Sequence, residues 1–134
     1  IVMLDLDNFK SINDEYGHAA GDDILRSVAD CLARTFVRRS DLVARYGGEE
    51  FALILADVDV KAAEPLVERF LDTMRSTVKI PYAGKDRIVT CSAGLTELMP
   101  SDTVETVLLR ADRALYRAKR EGRDRVHVEI SEVA

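Results

Sequence analysis

"RYGGEEFALIL", residues Arg45 to Leu55, sets two glycines and two glutamates in front of an unbroken apolar run. A short apolar run bounded by turn residues reads as a buried strand. "LVARY" just upstream reads as its partner. Gly47-Gly48 between them predicts a β-hairpin with a two-residue loop, because the primed turns need positive φ. Buried strands rarely begin with adjacent acids, so Glu49 and Glu50 need a reason beyond the fold.

Working outward, "IVMLDLD" predicts a buried strand whose carboxyl end emerges at a surface with Asp5 and Asp7. "NFKSINDEYGH" gives a helical turn or two that stops near Gly17. From Gly21 the residues Ile24, Leu25, Val28, Ala29, Leu32, Ala33, Phe36 and Val37 repeat at three and four, the stripe of an amphipathic helix. A second helix is expected from about Lys61 to Val78, with Pro65 in its first turn, where proline is tolerated. "KIPYAGKDRIVTCSAGLTEL" reads as two strands around "AGKD". Thr103 caps a third helix through about Arg120, with Gly122 just past its end. "RVHVEI" is a last strand. The order βαββαββαβ predicts an α/β sandwich, a mixed sheet flanked by helices. No repeat or linker interrupts it, so residues 1–134 read as one domain.

The 134 residues are 47% hydrophobic and 32% charged, with a net charge of −5. That balance argues against a duplex nucleic-acid binder, which is usually basic, but leaves room for small phosphate ligands. No apolar stretch is long enough to span a membrane. Cys31 and Cys91 match no metal spacing and read as buried reduced thiols, which points to the cytosol. The chain opens on Ile1, directly in a strand, and is expected to be cut from a longer protein carrying an upstream regulatory domain.

Asp5 and Asp7 lie two apart on a strand and share a face. If that strand neighbours the one begun by Glu49 and Glu50, carboxylates from both meet at one edge. Such a cluster is either a set of solvated strand ends or a cation site. Oxygen ligands without His or Cys suit Mg²⁺ or Mn²⁺, and magnesium usually arrives with phosphates. Gly47 and Gly48 let a ligand approach the backbone.

Four blocks, "DLDNFKSINDEYGHAAGDDIL", "RYGGEEF", "SAGLTE" and "ADRALYRAKREGRDRV", together resemble the GGDEF domain of the diguanylate cyclases, whose signature stands here as Gly47-Gly48-Glu49-Glu50-Phe51. The resemblance covers nearly the whole chain and implies a fold akin to nucleotidyl cyclases and polymerase palms. It implies condensation of two GTP into cyclic di-GMP and two pyrophosphates across a homodimer. It assigns Asp5, Glu49 and the Leu6 carbonyl to metal, and Glu50 either to metal or to deprotonating the 3′-hydroxyl. Asn13 and Asp22 fall to guanine, although Asp22 beside Gly21 also suits a helix N-cap. Lys10, Lys119 and Arg123 fall to the triphosphate. "RRSD" resembles the family's inhibitory R-x-x-D motif, with Arg38 and Asp41 at its ends and Arg69 as a secondary contact from a partner subunit.

Overall fold

β1 (Val2–Leu6) lies at the centre of a five-stranded sheet. Four of its residues, Val2, Met3, Leu4 and Leu6, are at most 1% exposed, because both faces of the strand are covered. After it come α1 (Phe9–Tyr16), α2 (His18–Thr35), β2 (Leu42–Arg45), β3 (Glu50–Ile54), α3 (Val60–Thr77), β4 (Lys79–Tyr82), β5 (Lys85–Ile88), β6 (Cys91–Leu95), α4 (Val104–Arg120) and β7 (Val126–Val128). The order across the sheet is β2-β3-β1-β6-β7, with only the β6–β7 pair parallel. The structure, a computed structural model, describes residues 1–82 and 85–132. The fold is the mixed sheet with flanking helices that the strand and helix order predicts.

Alternation along β1 and β3 assigns the faces. Leu4, Leu6, Phe51 and Leu53 point into the larger core with Leu32 of α2 and Phe70 of α3. Met3 and Ala52 point the other way, against Ala111 and Leu115 of α4. Each fully buried Leu or Phe contributes about 1.5–3 kcal/mol. α4 is tied at its start by a Thr103/Thr106 capping box. Arg110 then reaches from the helix to Thr96 (2.6 Å), Glu97 O (2.7 Å) and Asp102 (2.6 Å). Gly94 of β6 lets the helix touch the sheet: a Cβ there would press on Ala111 O and Leu115 N.

Several local expectations change. The second helix starts at His18, not Gly21, because Gly17 at φ +90° already breaks the chain between α1 and α2. Asp22 is therefore inside the helix and is no cap. Val37 lies past the helix end and is 73% exposed. Asp59 caps α3 through Ala62 N, so Pro65 falls in the second turn rather than the first. The strand pair around "AGKD" is three strands. β4 and β5 form a separate ribbon, and the chain breaks at Val89-Thr90 before β6 joins the main sheet. The turn expected at Ala83-Gly84 lies outside the described residues. Gly122 does follow α4, at φ +123°, and both cysteines are buried free thiols.

Candidate active site

The signature hairpin differs from the expected primed turn. β2 ends at Arg45 and β3 begins at Glu50, and neither Gly47 nor Gly48 is among the positive-φ glycines. The loop closes through Tyr46 N–H to Glu50 O (2.8 Å). Arg45 braces it, donating to Gly47 O (3.2 Å) and Gly48 O (2.8 Å). A Cβ at Gly48 would meet nothing within 4 Å. The protein's own packing therefore does not require a glycine there, and the space over the loop is open to a ligand.

β1 and β3 pair so that Asp5 stands directly opposite Glu50, while Leu6 N–H donates to Glu49 O at 3.2 Å. Like charges placed opposite each other in a sheet are destabilising. Burial first, then the charges of Asp5, Asp112 and Glu49, push the Glu50 pKa up. Asp112 of α4, an exposed residue, is itself raised by partial loss of hydration. A carboxylate cluster held at a cost to the fold is a mark of a working site.

Lys119, in the last turn of α4, reaches into this cluster. Its Nζ lies 2.9 Å from Asp7 Oδ1, 3.0 Å from Asp5 Oδ1 and 3.4 Å from Leu6 O. Burial alone would lower its pKa, but Asp7 and Asp5 outweigh that and raise it. Asp7 is 3% exposed and also accepts from Thr90 Oγ1, Ser92 Oγ and Asp124 N. Burial would raise its pKa; the bonds from Ser92, Lys119 and Thr90 win and lower it. The turn after α4 is unusual, with Arg123 at φ 64° and Asp124 at φ 50°. Non-glycine residues sit in that region only where their surroundings hold them. Here Asp7 holds the Asp124 amide, and Arg75 grips the Asp124 carboxylate at 2.9 Å.

Among the described residues no three His, Cys, Asp or Glu side chains gather closely enough to hold a metal ion. Oxygens do converge on a cation, however: Asp5 Oδ1 and Leu6 O surround the Lys119 ammonium. These are hard donors at the end of a strand, and with Glu49 and Glu50 alongside they fit Mg²⁺ or Mn²⁺.

On the other face of the sheet, a cavity of about 340 Å³ is lined by Asp22, Leu25, Val43, Arg45 and Phe51 among others. Asn13 lies near it in the chain, and its buried Oδ1 has no hydrogen-bond partner. That oxygen packs against the Cα of Gly21, where a Cβ would collide with it and would sit 3.2 Å from Phe9 Cζ. Gly21 lies inside α2 rather than at its start, and its packing role is one the sequence analysis does not assign. A glycine kept inside a helical pattern was the available signal. Lys10 on α1 and Arg123 past α4 are both exposed. Asp7, Asp112 and Gly94 acquire their roles from contacts between distant segments.

A second cluster lies past α2. Arg38 donates to Asp41 Oδ1 from Nη2 (2.6 Å) and Nε (3.0 Å), and to Ala56 O (2.9 Å). Arg69 is on α3 and lines a different cavity with Arg34, Thr73 and Thr77.

The sequence model of the family described as "Diguanylate cyclase, GGDEF domain" matches residues 1–125. The chain belongs to this family. Among curated GGDEF relatives, diguanylate cyclase DgcP of Pseudomonas aeruginosa is 44% identical over 96% of this chain and 19% of its own. Diguanylate cyclase A of Treponema denticola is 42% identical over 94% of this chain and 34% of its own. The chain thus spans about a fifth to a third of the length of these relatives. Among solved structures, the GGDEF domain of DgcB from Caulobacter crescentus, in complex with c-di-GMP, superposes with a TM-score of 0.88 at 36% identity, covering 95% of this chain and 75% of that one. The active GGEEF domain of a Vibrio cholerae diguanylate cyclase gives 0.85 at 32% identity, covering 95% and 80%. No helix among the described residues is long and apolar enough to cross a membrane.

Proposed function

We propose that this GGDEF domain condenses two GTP molecules into cyclic di-GMP and two pyrophosphates, with two copies of the chain each presenting one GTP. The observation that carries this is the pairing of Asp5 with Glu50 across β1 and β3, with Glu49 next in chain and Leu6 O beside them. Complexes of c-di-GMP with the DgcB domain lend support.

In this reading Asp5, Leu6 O and Glu49 hold Mg²⁺ or Mn²⁺. The ion lowers the pKa of the attacking hydroxyl and neutralises phosphate charge when bound. Glu50 takes up the 3′-hydroxyl proton or completes the metal set. That oxygen bonds to the α-phosphorus of the partner's GTP as the bond to the β-phosphate breaks and pyrophosphate leaves. Lys10, Lys119 and Arg123 neutralise the triphosphate. Asp22 and Asn13 accept from the N–H groups on guanine's Watson–Crick edge, a pattern adenine does not present, and the unpartnered Asn13 Oδ1 suits that role.

The test is dimerised protein with GTP and Mg²⁺, followed for cyclic di-GMP, with Glu50→Ala as control. Product from both proteins alike, or GTP bound without turnover, overturns the reading. Gly21→Ala probes the base contact. The new methyl drives the Asn13 amide away, so GTP affinity falls about tenfold, the worth of roughly one good hydrogen bond. ATP affinity, weak already, stays where it is. Equilibrium binding of both nucleotides checks this.

Arg38 and Asp41 are proposed as the product-inhibition site, with Arg69 contributed by a neighbouring subunit. The guanidinium that would grip cyclic di-GMP is engaged by Asp41 and Ala56 O, so product must exchange one set of acceptors for another. Arg38→Ala leaves initial turnover intact and removes inhibition by added cyclic di-GMP. Inhibition curves that superpose on the parent's would refute the assignment.

A further inference from the structure

We infer that Lys119 is a built-in counter-ion that occupies the metal's place and must leave before a divalent ion can bind. The inference rests on the reading of Asp5 and Leu6 O as metal ligands. Its evidence is the Lys119 ammonium, which touches both of those oxygens, Asp5 Oδ1 at 3.0 Å and Leu6 O at 3.4 Å, together with Asp5 O at 3.5 Å and Asp7 Oδ1 at 2.9 Å.

Magnesium needs its oxygens at about 2.0–2.1 Å. An ion bound that closely to Asp5 would stand within contact distance of the ammonium, and two cations do not share such a site. The two acids are prepared for the lysine's departure in different ways. Asp7 keeps Thr90 Oγ1, Ser92 Oγ and the Asp124 amide as donors, so it stays satisfied at its buried position. Asp5 has no other side-chain hydrogen bond among the described residues, so the departure frees its carboxylate for metal. Lysine suits such a displacement, being a point charge on a flexible four-carbon stem. A triphosphate arriving with the metal gives the ammonium somewhere to go. Metal alone must displace the lysine unaided, so metal and nucleotide strengthen each other's binding reciprocally.

The probe is Mn²⁺ without nucleotide, titrated against the protein and read as free ion by electron paramagnetic resonance. Lys119→Met removes the competitor and binds Mn²⁺ at least about fivefold more tightly than the parent, as expected when most molecules hold the lysine in place. Lys119→Arg keeps a cation and stays near the parent. Adding Asp5→Asn to Lys119→Met abolishes the gain. A merely structural role for Lys119 would weaken Mn²⁺ binding or leave it unchanged. That result, with Asp5→Asn still weakening the parent's binding, overturns the counter-ion while sparing the metal site. If Asp5→Asn has no effect in either background, the metal reading itself fails and takes the inference with it. Should Lys119→Met lose its native circular dichroism, the parent supplies the answer by NMR of the lysine ammonium groups. The Lys119 signal shifts as Mg²⁺ saturates the protein, and a signal that does not move refutes displacement.

Discussion

Glu50→Gln lowers cyclic di-GMP formation about a thousandfold or more, and at the same time makes the ligand-free protein more resistant to heat above neutral pH. The loss follows from the role proposed for Glu50, taking the hydroxyl proton or completing the metal set, which is worth about 10²–10⁴ in rate. The gain follows from the fold. Burial and the neighbouring charges of Asp5, Asp112 and Glu49 raise the Glu50 pKa. A carboxyl group whose folded pKa lies above its unfolded one destabilises the native state wherever it is ionised, and has no effect below the unfolded value. The difference in melting temperature between variant and parent is therefore largest near pH 8, shrinks through the weakly acidic range and vanishes below about pH 4. Thermal melts across pH, with turnover at one pH, measure both effects. A variant less stable than the parent at pH 8 would show that Glu50 supports the fold rather than straining it.

Gly94→Ala has the largest expected effect on stability. A Cβ there would run into Ala111 O and Leu115 N, and would lie 2.9 Å from Leu115 Cα. All three are backbone atoms, so no rotamer relieves the clash and α4 must lift from β6. Overpacking of this kind costs about 3 kcal/mol or more, a large part of the total stability of a small domain. The melting temperature falls by about 6–12 °C for a chain of this size. Because Lys119 rides on α4, the shift also loosens its grip on Asp5 and Asp7. Calorimetry of the ligand-free protein checks the first effect; an unchanged melting temperature would mean that the helix and strand can separate freely.

The residues that were legible in the sequence are those whose meaning is local. Thr103 and Gly122 announce the ends of α4 because caps are read from a few neighbours, and the apolar runs announce β1, which is covered on both faces, and β3, which buries Phe51 and Leu53 on one. The acids of "DLD" and "GGEEF" were legible as a group because strand ends and a turn leave few other uses for them. The stop at Gly17 was legible, but the restart straight after it at His18 was not, because the apolar stripe of the second helix begins only at Ala20. The hairpin loop misled because two adjacent glycines usually mean positive φ, whereas here an Arg45 side chain holds the loop. Gly94 was silent, and so was the part Asp7 plays within its group, because their neighbours come from segments far along the chain, and only the folded backbone brings a missing Cβ against a helix or four donors onto one carboxylate.

The sheet separates two halves of the candidate site. Asp5 and Glu50 share the side of Met3 and Ala52, under α4, whereas Leu25 and Phe51 line their cavity on the side of α2. A molecule that touches both must reach from one face of the sheet to the other. In the proposed function a free base or a lone phosphate ion fills only one of these two places, and a ligand that fills both must be long and jointed.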